Sequence, residues 1–185
     1  MQIHDKLPVY RCCRVPAGLE IDGDLTKPSW QLVPAIELHL ASTGGIPSQS
    51  TKVRGCWDGE DLYLAFECQD EEIRATFTQR DDRVWLEEAV EAFIAPYGDL
   101  RHYYEFQCSP TNVVRDVKVT NVDALPETAV FDGSWDCIGW RTAVQRHENT
   151  VDSRQARGAI PRVDGRRAGQ ERDGRGIPTV IPQRA

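Results

Sequence analysis

The sequence predicts an all-β protein: an antiparallel β-sandwich of jelly-roll or Ig-like type, followed by a disordered, Arg-rich C-terminal tail. Three observations carry this. Residues 51–70 (TKVRGCWDGEDLYLAFECQD) alternate with a period of two on both sides of an Asp58-Gly59-Glu60-Asp61 turn, which signals an antiparallel hairpin with one buried face. Further strand-like runs follow at short, regular spacing, about seven strands in all, the cadence of a sandwich. After residue 144 the composition changes, and strong apolar patterning stops.

Taken in order, residues 1–20 read as an opening strand and loop. Residues 19–30 (LEIDGDLTKPSW) have an apolar start, an Asp-Gly turn, and a Pro-Ser-Trp ending suited to a short helical turn. Residues 31–40 alternate apolar side chains at Ile36, Leu38 and Leu40 and read as a strand, and residues 41–50 are a Gly/Ser/Pro loop. In the hairpin, Val53, Gly55 and Trp57 oppose Lys52, Arg54 and Cys56. Leu62, Leu64, Phe66 and Cys68 oppose Tyr63, Ala65 and Glu67. A turn at residues 58–61 sets Trp57 against Leu62 and Cys68 against about Thr51. Residues 70–82 form an acidic connection. Residues 86–94 read as a strand, with Val90, Ala92 and Ile94 on one face and Glu91 and Phe93 on the other, or as a short helix, since LEEAVEAFI is rich in helix formers. Strands are expected at residues 103–108, at 113–119 (Val113, Arg115, Val117 and Val119 sharing one parity) and at 135–144, with a loop at 124–133. Trp30 and Trp57 are expected in the core; Trp135 and Trp140 fit core and rim equally.

One domain accounts for 185 residues. No run approaches the roughly 18 apolar residues of a membrane helix, so no membrane partner is expected, and the N-terminus shows no apolar signal region. The net charge of −7 is split. Residues 141–185 hold 10 Arg, 3 Asp and 2 Glu, a net of +5, which leaves −12 on residues 1–140. An acidic body repels phosphate backbones and suits a neutral ligand or a cation, so nucleic acid is not an expected partner. Residues 141–185 contain no Leu, Phe, Trp, Tyr, Met, Cys or Lys, too little apolar surface to offset an ordering cost of about 1–2 kcal/mol per residue. The domain is therefore expected to span residues 1–144 without its last strands. Residues 145–185 form an irregular basic tail: a solvated tail, the product of a reading frame shifted near Gln145, or a nucleic-acid-binding extension.

The cysteines at 12, 13, 56, 68, 108 and 137 form no CxxC pair and no zinc spacing; they read as small apolar core residues, with disulfides as the alternative. The histidines make no HExxH, and no GxSxG, P-loop or GxGxxG is present. Asp70, Glu71, Glu72, Asp81 and Asp82 can supply some of the six to eight oxygens calcium needs but match no EF-hand spacing. Glu87, Glu88, Glu91 and Glu105 fit a solvated edge, a sugar or calcium contact, or an acid/base pair. Trp85 follows an acidic and basic run (residues 80–83). Its indole fits a platform for the C–H face of a sugar, with carboxylates accepting hydroxyl hydrogen bonds, or a core aromatic.

Five segments in order, IDGDLTKPSW, TKVRGCWDGEDLYLAFECQD, RDDRVWLEEAVEAFIAP, YYEFQCSPTN and GSWDCIGWRTAV, resemble carbohydrate-binding module family 9 and its DOMON-like sugar-binding relatives over about residues 9–144. The resemblance implies a non-catalytic β-sandwich that binds mono- or oligosaccharides, often attached to glycoside hydrolases, and a secreted or periplasmic location. It makes Trp85 one wall of a sugar clamp, with Glu91 on the VEAFI strand and Glu105 on its neighbour as polar contacts. Glu105 stands where sugar-binding members carry Arg, and no tryptophan follows Trp140 to supply a second clamp wall. Competing readings are a glycoside hydrolase using Glu91 or Glu105, a truncated remnant without function, and a haem-binding DOMON-like redox domain, which the lack of any methionine beyond Met1 disfavours.

Overall fold

The computed structural model describes residues 9–16, 18–99, 101–123 and 125–147, together with strand segments 158–160 and 179–183. Among these residues there are eleven strands and almost no helix, and they form two sheets. The first contains β1 (Cys13–Arg14), β2 (Ala35–Glu37), β3 (Thr51–Trp57), β4 (Leu62–Cys68), β9 (Arg141–Thr142) and β10 (Gly158–Ile160). Its order is β1-β3-β4-β10-β9, and β2 shares the outer edge of β3 with β1. The second sheet runs β11-β5-β6-β7-β8, from β11 (Thr179–Gln183) through β5 (Val90–Ala95), β6 (His102–Cys108) and β7 (Val114–Thr120) to β8 (Val130–Asp132). All its pairs are antiparallel. The only parallel pair among the described strands is β1 with β3.

The hairpin has the expected register: Trp57 pairs with Leu62 and Thr51 with Cys68. Asp58 fixes the turn between them. Its carboxylate accepts the backbone N–H of Gly18, Glu60 and Asp61 and the hydroxyl of Tyr63, and Gly59 supplies the left-handed backbone at φ +112°. These donors hold the Asp58 carboxyl well below the usual carboxylate range.

The sheets pack face to face. Val53, Leu64 and Phe66 of the first meet Ala92, Ile94 and Phe106 of the second in one buried cluster, which makes the fold a β-sandwich. The hairpin was expected to bury one face and buries both. Its reverse side, Cys56, Tyr63 and Ala65, is covered by Leu25, Trp30 and Val33, contributed by the IDG segment, the short helix α1 (Pro28–Gln31) and the turn that follows it. Trp30 is a core residue as expected, whereas Trp57 is 42% exposed. It ends β3 and carries the Arg14 guanidinium 5.4 Å from its ring centroid instead of packing inward.

Two further expectations change. Residues 86–94 are neither one strand nor one helix: a 3-10 turn over Val84–Leu86 precedes β5. Residues 135–144 are not a continuous strand, since only Arg141–Thr142 pairs. The Cys137 N–H points to the carboxylate of Asp116, and Gly139 turns the chain at φ +93°. Trp135 and Trp140 then fold onto the core, Trp135 against Tyr104 (4.5 Å between centroids) and Trp140 edge-on to Phe106 (5.1 Å). The loop expected at 124–133 contains a 3-10 turn and β8.

Two segments of the basic tail carry strand backbone, β10 pairing with β4 and β9, and β11 with β5. The rest of the tail, including the expected disorder and frame shift beyond His147, lies outside the described residues. The described cysteines are all free thiols, and Cys56 and Cys108 are buried. Burial pushes both thiols up to about 12. No helix among the described residues is long and apolar enough to cross a membrane.

Candidate functional site

Because Ala92, Ile94 and Phe106 point into the sandwich, period-two geometry turns Glu91 and Phe93 of β5 and Tyr103, Glu105 and Gln107 of β6 to the outer face of the second sheet. Register extends the set across the sheet. Glu91 pairs with Gln107, and Phe93 with Glu105. On the next strand Arg115 pairs with Gln107, and Val117 with Glu105. The turn holding Trp85 packs on β6 and is anchored by Val84, which is fully buried.

Trp85 reaches this face through Arg115, whose guanidinium lies 4.7 Å from the indole centroid. Arg115 also donates from Nη1 to the Asp81 carbonyl at 3.0 Å, and the Asp81 N–H returns a bond to the Val114 carbonyl at 3.0 Å. The loop is thereby stapled to β7 with Asp81 in the left-handed region at φ 66°. Trp85 is half-buried, and the Arg115 guanidinium covers part of its ring, leaving the exposed remainder of the indole for other contacts.

Glu91 is 7% exposed. Burial, reinforced by the negative charge of Glu105, pushes its carboxyl up to about 7, while a hydrogen bond with the Gln107 side chain favours the ionised form. Burial also raises Glu105, against the favourable charge of Arg115. Gln107 is buried, and its Oε1 has no hydrogen-bond partner. The three residues singled out from the sequence, Trp85, Glu91 and Glu105, therefore fall on one face of one sheet. Gln107 and Arg115 belong to the same constellation and were missed. The signal was present, since Glu105 and Gln107 alternate with Tyr104, Phe106 and Cys108, and Arg115 is the charged member of an otherwise apolar parity set.

Glu87 lies outside this group, its carboxylate taken by the backbone and hydroxyl of Thr76. Of the acidic connection's calcium candidates, Asp81 falls in a carboxylate group and Asp70, Glu71, Glu72 and Asp82 stand outside it. The described carboxylates that do approach one another are Asp81, Asp116 and Asp136, with oxygens within 4.8 Å. The cation among them is Arg80, paired with all three. Asp116 is fully buried. It is satisfied by Arg80 and the Cys137 N–H, so this group ties β7 to the segment carrying Trp135 and Trp140. A buried carboxylate requires such pairing.

A solved structure of a candidate carbohydrate-binding protein from Bacteroides uniformis is similar to this chain, with a TM-score of 0.52, 18% identity, and coverage of 81% of this chain and 67% of that one. At that identity the likeness establishes the shared sandwich. No curated protein matches the sequence. Residues 21–135, which run from the IDG segment through the hairpin, the Trp85 turn and both site strands, match the family described as carbohydrate family 9 binding domain-like. The match spans well over half of the chain, which belongs to the carbohydrate family 9 binding domain-like family.

Proposed function

We propose that the protein is a non-catalytic sugar-binding module, that its site is the outer face of the second sheet, and that it serves polysaccharide breakdown alongside a glycoside hydrolase. The observation that carries this is the convergence of Trp85, Glu91 and Glu105 on one face, within a chain of a carbohydrate-binding family. The exposed part of the Trp85 indole offers an apolar surface for the C–H face of a mono- or oligosaccharide. Glu91 and Glu105 accept hydroxyl hydrogen bonds, and Arg115 donates one while fixing the tilt of the indole. A rigid sheet supplies this arrangement at little ordering cost, which favours binding.

The test is a glycan panel read by tryptophan fluorescence and by melting temperature. A ligand that binds only the native state at about 100 times its Kd stabilises it by about 2.7 kcal/mol. The reading expects such a rise for at least one glycan, and its loss in Trp85→Ala, whose own fold should persist because the ring is only half-buried. Chromogenic glycosides should show no turnover above solvent. A folded protein with no glycan response would overturn the proposal.

A further inference from the structure

We propose that this face selects a sugar bearing a protonated amine, held among Glu91, Glu105 and the side-chain carbonyl of Gln107; the proposal rests on the sugar-binding reading above and narrows its ligand class. The inventory of hydrogen-bonding groups is lopsided. Glu91 and Gln107 are directly paired across β5 and β6, and Glu105 stands one same-face position further along β6. The Gln107 amide favours the ionised Glu91, so its N–H side faces that carboxylate. Its Oε1 is left without a partner in a residue only 4% exposed. An orphaned buried acceptor costs about 1–3 kcal/mol, which a donor arriving with a ligand recovers. Two carboxylates and this carbonyl thus belong to side chains on one face of β5 and β6.

The charged groups on that face are Glu91 from β5, Glu105 from β6 and Arg115 from β7, with the Tyr103 hydroxyl beside Glu105. Arg115 is the cation of the set; it partly offsets Glu105 while also holding the Trp85 ring and the Asp81 carbonyl. A hydroxyl from a neutral sugar supplies one donor and brings two lone pairs of its own. An ammonium supplies three donors, no acceptor and one positive charge. It is the sugar substituent that satisfies three acceptors and removes the repulsion between two carboxylates together. The raised titration of both carboxyls comes first from burial; Glu105 adds to it at Glu91, and Arg115 partly offsets it at Glu105. At longer range, the charge of −12 on residues 1–140 draws a cationic sugar toward the protein.

The experiment is calorimetric titration of the full chain, near neutral pH and low salt, with D-glucosamine, N-acetyl-D-glucosamine and D-glucose, and with the matching β-1,4-linked trisaccharides. The amine is expected to bind about tenfold or more tighter than its acetylated and hydroxyl counterparts, a difference of about 1.4 kcal/mol. Raised salt should erode the preference. Glu105→Gln, at a half-buried position, should abolish the preference, bringing the amine and the neutral sugars to within a few-fold of one another. Glu91→Gln provides an independent check should Glu105→Gln fold poorly. Neutral sugars binding as well as the amine would overturn this inference and leave the sugar-binding reading intact. A preference that survives both substitutions would overturn the placement, and no response to any sugar would overturn the two readings together.

Discussion

Glu91 is a carboxyl in a place that disfavours its charge. It is buried on the outer face of a sheet, beside a second carboxylate, and its acidity is pushed from the ordinary 4.5 to about 7. The native state therefore holds this proton more tightly than the unfolded chain, and the sign of the pH effect follows. The contribution is fully present below about pH 4.5 and is lost as pH rises through about 7. Glu91→Gln keeps the shape and the hydrogen bond with Gln107 but cannot ionise. Relative to the parent, the variant should gain about 2–3 kcal/mol between about pH 4.5 and about pH 8. Denaturant melts at those two pH values measure the gain directly. A parent-to-variant difference that does not change with pH would mean that Glu91 titrates like a solvated residue. Glu105 also has its pKa raised by burial, so the comparison with the variant, not the pH slope of the parent alone, isolates Glu91.

At the scale of the element, the β3–β4 hairpin hangs on one side chain. Asp58 satisfies three backbone N–H groups and the hydroxyl of Tyr63, a residue only 2% exposed. Asp58→Ala strands those donors and should cost about 2–3 kcal/mol, since hydrogen bonds to a charged acceptor are the stronger kind and a buried hydroxyl is left unpaired. Urea titration reads this as a lower midpoint at an unchanged slope; a midpoint within error of the parent would show that the turn is held by its glycine alone. The same hairpin shows what was legible from the residues. Alternation on both sides of a short turn left one register that pairs Trp57 with Leu62, and the structure has it. The double burial of that hairpin was not legible, because the cover comes from Trp30 and Val33, distant in sequence. Residues 135–140 alternate like a strand, yet Asp116, about twenty residues earlier, captures the Cys137 amide and bends the segment. Site legibility divides along the same line. Trp85, Glu91 and Glu105 came from the family resemblance and Gln107 is visible in the alternation of β6, whereas Arg115 joins them through cross-strand pairing, which no local window contains.

For the whole molecule, the question is what the C-terminal segment contributes. Both described core clusters draw every buried member from residues 25–106. The sheet edges differ. β4 has β10 as its outer neighbour, and β5 has β11, which pairs along the strand that carries Glu91. A chain ended at residue 147 keeps the two described clusters but exposes the backbone donors and acceptors of β4 and β5, and unpaired edges of long strands recruit other chains. We expect that shortened chain to unfold cooperatively about 5–10 °C below the full chain, the equivalent of a few kcal/mol, and to self-associate in sedimentation runs as concentration rises. Opening the β5 edge also lets water reach Glu91, so its acidity should return toward the ordinary range and the pH dependence argued above should weaken. Equal melting, a monomeric shortened chain and an unchanged pH profile would together assign the tail no part in the fold. The domain would then end near residue 144, with its sugar site complete without the residues that follow.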